Sequence, residues 1–111
     1  MKLEITTSGQ FKIVKVDGRI DTTRAVEFES SVVNLIDKDC NNLIINCLGL
    51  NYISSSGLRV FLVLQKRLAG QQGVFRLCCL KPEIQEIFDI SGFSTIFQIY
   101  PTEEAALAVE Q

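Results

Sequence analysis

Leu43-Ile44-Ile45-Asn46-Cys47-Leu48, then Gly49-Leu50-Asn51-Tyr52-Ile53, then Ser54-Ser55-Ser56-Gly57-Leu58-Arg59: the reading of this chain turns on these residues. The first six are too short and too apolar to be anything but an interior strand. From about residue 56 to 69, Leu58, Val60, Phe61, Leu62, Val63, Leu64 and Leu68 make a wide apolar face. That predicts a largely buried helix, with Arg59, Gln65, Lys66 and Arg67 reaching solvent. Hydroxyls therefore gather where a strand gives way to a helix. The first N–H groups of a helix lack partners, serine caps them well, and the helix dipole there also suits a phosphate. Ser54, Ser55 and Ser56 are thus either a plain cap or a site of phosphorylation, and the residue pattern leaves both open.

On the N-terminal side, residues 3–7 read as a short strand, turned at Ser8-Gly9-Gln10 into a second. That second strand carries Phe11, Ile13, Val14 and Val16 and ends at Asp17-Gly18. Asp21 or Thr22 is placed to cap a helix whose Ala25, Phe28, Val32 and Ile36 recur at helical spacing, and Asp39-Cys40-Asn41-Asn42 closes it. On the C-terminal side, Gly70-Gln71-Gln72-Gly73 ends the helix that follows the serines. A strand over residues 74–80 comes next, then a helix opened by Pro82 with Ile84, Ile87 and Phe88 on one face, stopped at Ser91-Gly92. A strand over residues 96–100 and a helix capped by Thr102, through Ala105, Ala106 and Val109, complete the chain.

The order is β-β-α-β-α-β-α-β-α over residues 1–111, read as one domain. Alternating strands and helices predict an α/β fold: a mixed, mostly parallel sheet with an antiparallel first strand and helices packed on it. The C-terminal ends of parallel strands share one edge. Asp21 and Ser54 to Ser56 should face each other there, where open α/β sheets bind their ligands.

Composition narrows the function. At 47% hydrophobic and 22% charged residues the chain is no disordered segment. A net charge of −2 with scattered lysine and arginine offers no footprint for nucleic acid and no polybasic membrane patch. No apolar run approaches the roughly 20 residues that span a bilayer, and residues 1–7 lack the apolar block of a signal peptide. The expectation is a cytoplasmic protein without direct membrane insertion.

The chain contains no histidine, which excludes a Ser-His-Asp triad, a Cys-His pair or a histidine general base. Ile53 stands where the first glycine of G-x-S-x-G would be, and no Gly-Lys-Ser/Thr follows to make a phosphate loop. No catalytic residue, cofactor or enzymatic activity is expected. Cys40, Cys47, Cys78 and Cys79 show no C-x-x-C spacing, so no metal site is expected either. They read as reduced small hydrophobes, with Cys78 and Cys79 on opposite faces of one strand.

With these residues in view, the chain resembles the STAS domain of bacterial anti-sigma-factor antagonists. Tyr52-Ile53-Ser54-Ser55-Ser56-Gly57-Leu58-Arg59 between strand and helix carries the resemblance, with Gly18-Arg19-Ile20-Asp21 and the whole element order. The resemblance implies a partner-switching module. The unphosphorylated domain would bind an anti-sigma factor that is also a serine kinase, releasing the sigma factor. Phosphorylation would weaken binding, and a serine phosphatase would restore it. The family motif Asp-Ser-Ser/Thr-Gly falls on Ser54-Ser55-Ser56-Gly57. The implied acceptor is Ser55, with Ser54 and Ser56 as alternates, and Ser54 replaces the motif's aspartate. Asp21, Ser54, Ser55, Ser56, Gly57 and Arg59 are the implied partner-facing residues. The alternative is a STAS adaptor of a membrane transport or stress-signalling complex that is not phosphorylated.

Overall fold

Five strands form one sheet in chain order: β1 (Lys2–Ser8), β2 (Phe11–Ile20), β3 (Asn42–Ile53), β4 (Val74–Cys78) and β5 (Gln98–Tyr100). Between and after them run α1 (Thr22–Asp37), α2 (Ser55–Gly70), α3 (Pro82–Ile90) and α4 (Glu103–Ala108). The structure, a computed structural model, describes residues 1–38 and 40–108. Asp39 and Val109, each assigned above to a helix end, lie outside the described residues. β1 is antiparallel to β2 and all later pairs are parallel, as the element order predicts.

Strands that run β2-β3-β4-β5 without a skip, joined by right-handed crossovers, place every connecting helix on one face. The core agrees. Ala25, Phe28, Val32 and Ile36 of α1 are all buried and pack in one cluster with Phe61 and Leu64 of α2 and Ile84 and Phe88 of α3. The sheet contributes Val14, Val16, Ile45 and Leu77 to the same cluster. Phe61 sits at its centre, its ring 5.6 Å from Phe28, 5.9 Å from Phe88 and 6.4 Å from Phe97. The contacts with Phe88 and Phe97 are edge-to-face, a geometry that adds to the burial of the rings.

The other face carries a smaller cluster, Phe11, Ile13, Ile44 and Cys78, under Ala106 of α4. Arg76 lies within it, almost wholly buried. Its guanidinium donates to Gln98 Oε1 at 3.1 Å and to the Ala106 carbonyl at 2.7 Å, and sits 5.0 and 5.7 Å from the rings of Phe11 and Tyr100. Asn46 donates to Glu103 Oε1 at 2.9 Å. α4 is therefore held by one buried and one partly buried polar tie as well as by apolar contact.

Several element ends differ from the sequence reading, each for a tertiary reason. β2 continues past Asp17-Gly18 to Ile20, and β3 past Leu48 to Ile53, because the two pair in parallel to their last residues, Ile20 with Ile53. Two register irregularities along β2 keep Gly49-Leu50-Asn51 in the ladder beyond Leu48, where the six-residue apolar run ends. Cys79 has φ +63° and leaves β4, which ends at Cys78. Both cysteines then contact the α4-side cluster and their thiols interact, so the expected opposite-face placement fails. Burial raises the pKa of the Cys47 and Cys78 thiols, and no disulfide forms among the described residues. Phe97 turns into the core, so the last strand shortens to three residues behind a 3-10 turn, Phe93–Thr95. Phe93 packs on Phe97 with ring centroids 6.1 Å apart, a core residue at the margin. After α2, Gln72 takes the left-handed conformation expected of a glycine (φ +60°). Gly73 is needed instead for close approach: a Cβ there would lie 2.0 Å from the Asn41 carbonyl oxygen.

Candidate functional site

The parallel pairing of Ile20 with Ile53 delivers two helix starts side by side. The Ser54 amide donates to the Ile20 carbonyl at 2.8 Å, locking the end of β3 to the end of β2. Asp21 then caps α1, accepting from the Arg24 amide at 2.9 Å, and Ser54 caps α2, its Oγ accepting from the Gly57 amide at 3.1 Å. Both caps have extended backbones, as N-caps do, and their carbonyls take the first helical bonds from Ala25 and Leu58. The shared edge expected for Asp21 and the serines is formed, and Asp21, not Thr22, is the cap.

The three serines divide. Ser54 is buried, with its amide, carbonyl and hydroxyl all engaged within the fold. Ser55 is the first helical residue and is exposed. Ser56 is half-buried and lines a groove between α1 and α2, with Thr22, Val26, Glu29, Arg59 and Val63 among its neighbours. The groove holds about 190 Å³.

Gly57 permits this arrangement. A Cβ on it would lie 2.7 Å from Ile53 Cγ1 and 2.8 Å from Ile20 Cγ2, both in buried side chains, so α2 could not start so close to the strand ends.

The edge is electrostatically mixed. Asp21 Oδ2 pairs with Arg24 Nη1 at 3.0 Å. The backbone N–H of Arg24 above all, then the Arg24 and Arg19 charges, hold the Asp21 carboxyl below its ordinary range, so it is anionic at neutral pH. Arg19 lies over the Tyr52 ring at 4.3 Å. Arg59 is exposed and makes no ion pair or hydrogen bond among the described residues, one helical turn beyond Ser55.

The site residues named from sequence thus meet at one edge: Asp21, Ser54, Ser55, Ser56, Gly57 and Arg59. The residues missed are those α1 contributes to the groove, Thr22, Val26 and Glu29. Val26, 69% exposed on an otherwise polar face, was the available signal. No group of side chains suited to a metal occurs among the described residues, and none of their helices is long and apolar enough to cross a membrane.

Comparison with known proteins bears on the family and the fold. The STAS domain family model matches residues 2–106. BtrV of Bordetella bronchiseptica, named as a candidate anti-sigma factor antagonist, is 37% identical over 108 residues, covering 97% of this chain and 93% of the relative. The anti-sigma F factor antagonist of Paenibacillus polymyxa is 27% identical over 96 residues, covering 86% of this chain and 82% of the relative. The crystal structure of a candidate anti-sigma factor antagonist from Thermotoga maritima superposes with a TM-score of 0.90, covering 95% of this chain and 91% of that one at 18% identity. At that identity the superposition speaks for the fold.

Proposed function

The chain belongs to the STAS domain family, and we propose that it acts as an anti-sigma factor antagonist controlled by phosphorylation of Ser55. The partner would be an anti-sigma factor that is also a serine kinase, and a serine phosphatase would reset the switch. This reading assigns no catalysis to the chain itself.

One observation carries it: the serine run separates a structural hydroxyl from a free one. Ser54 is committed to the cap, whereas Ser55 is open to a kinase at the same edge as Asp21. Ser54, standing where the family motif has aspartate, keeps the capping role, since both residue types cap a helix well. Adding a phosphate to Ser55 brings about −1.5 to −2 charges. At a helix N-terminus that charge is tolerated by the domain itself. Against a partner the dianion, beside anionic Asp21, must be matched or desolvated. A coupling of about 1–3 kcal/mol changes affinity roughly 5- to 150-fold, enough for a switch without a change of shape.

Phosphopeptide mapping of residues 51–59 on protein from its native cells tests the acceptor, with phosphate expected on Ser55 at an occupancy that varies with growth condition. With the partner in hand, Ser55→Ala should bind constitutively and Ser55→Asp weakly. Equal binding of the two variants would end the switch, and an unphosphorylated run would favour the adaptor reading.

A further inference from the structure

β1 is the outer strand of the sheet, paired on one side to β2 from Lys2 with Asp17 to Ser8 with Phe11, without a bulge. Its other side presents the backbone N–H and C=O groups of alternate residues, and no strand among the described residues lies beside them. Such an edge invites pairing with another chain. Proteins blunt it with charged side chains, lysine above all, with proline, a bulge or short length. The opposite edge, β5, is blunted by being three residues long. β1 carries charge at Lys2 and Glu4, but Ile5-Thr6-Thr7 is uncharged, free of proline and bulge, and rich in strand-forming residues. Ile5 is 48% exposed on the helix-bearing face, beside its cross-strand partner Val14.

We propose that β1 pairs antiparallel with β1 of a second copy of this chain, about a two-fold axis through Ile5, joining the two sheets into one. The register follows from the strand's own residues. A two-fold axis normal to the sheet keeps side chains on matching faces only when it passes through a residue. An axis at Glu4 sets Glu4 against Glu4 of the second copy, and like charges directly opposite destabilise a ladder. An axis at Leu3 or Thr6 leaves part of the seven-residue strand unpaired. The Ile5 axis pairs all of it. Lys2 then lies opposite Ser8, Leu3 opposite Thr7 and Glu4 opposite Thr6, while Ile5 covers Ile5. Each charged residue meets a hydroxyl, and each Glu4 keeps Lys15 beside it across β1 and β2.

The arrangement has a functional consequence. The axis is normal to the sheet, so the C-terminal strand ends of the two copies point in opposite directions. Both Asp21–Ser55 edges stay open, and one dimer presents two partner sites. Pairing of one edge strand lies in the size class of weak, transient contacts, so the dimer is concentration-dependent.

Sedimentation velocity over roughly 1 µM to 1 mM tests this. The wild-type average mass should rise toward twice that of the monomer. Ile5→Lys, which sets two lysines opposite each other at a half-exposed position, should remain monomeric with an unchanged melting curve. Under mild oxidation Ile5→Cys should give a disulfide-linked dimer beyond any wild-type background. Ser8→Cys should not, because in this register the two positions are about 20 Å apart. A wild type that is monomeric throughout, an Ile5→Lys variant that dimerises as the wild type does, or equal cross-linking of the two cysteine variants would each overturn the proposal.

Discussion

Replacing the three serines one at a time by alanine should separate the cap from the exposed hydroxyl. Ser54 Oγ accepts the Gly57 N–H at 3.1 Å, and Ser54 is only 8% exposed. Water therefore cannot readily replace the lost oxygen, and the Gly57 amide, on a buried residue, stays unpaired. N-cap removal costs about 0.5–2 kcal/mol, and burial places this cap in the upper half of that range, about 1.5 kcal/mol. Unfolding entropy near the melting point is about 2.1 cal/mol/K per residue, so for 111 residues about 230 cal/mol/K. Ser54→Ala should then lower Tm by about 6 °C. Ser55 is exposed and makes no cap bond, so Ser55→Ala should stay within about 0.5 kcal/mol of wild type, or about 2 °C. Ser54→Asp should retain most of the stability, because aspartate caps as well as serine and its charge suits the helix start. Thermal melts followed by circular dichroism are sufficient. A Ser55→Ala loss equal to that of Ser54→Ala would refute the assignment of roles, as would a Ser54→Ala shift below about 2 °C.

Gly57→Ala drives a Cβ to within 2.8 Å of Ile53 and Ile20 side-chain carbons. Overpacking of about 1–3 kcal/mol should outweigh the gain of up to about 1 kcal/mol from alanine's helix propensity, giving a net loss in urea melts. A stabilised variant would show that α2 can shift freely. For Asp21, whose folded pKa lies below the ordinary 3.8, stability is fully present above that value and is lost as pH falls through the lower folded one. Asp21→Asn keeps the cap without the charge, so wild type should lose more stability than the variant as pH falls below the ordinary carboxylate range. Parallel acid limbs in melts of the two would contradict the lowered Asp21 pKa, which the Arg24 backbone N–H sets first and the Arg24 and Arg19 charges after it. Arg76→Ala removes a buried side chain and its tie to the Ala106 carbonyl, and should cost about 2–4 kcal/mol. Amide exchange at residues 103–108 should accelerate with it. Arg76→Met, which keeps apolar volume, should cost less.

The residue pattern of this chain was enough to establish its element order, the core face of α1 and the meeting of Asp21 with the serine run. Helical and strand periodicity are local properties, and Ala25, Phe28, Val32 and Ile36 became the buried stripe their spacing required. Parallel topology then brings successive strand ends to one edge whatever the details of packing. Strand length was decided elsewhere. Gly49, Leu50 and Asn51 look like a turn, but β2 supplies backbone partners as far as Ile20 and holds them in the ladder. The same is true of the site. Three adjacent serines are chemically alike, and only the docking of α2 against Ile20 and Ile53, through the missing Cβ of Gly57, buries Ser54 and leaves Ser55 facing water. Residue type determined which groups were available at this edge; long-range packing decided which one solvent, and therefore a partner, can reach.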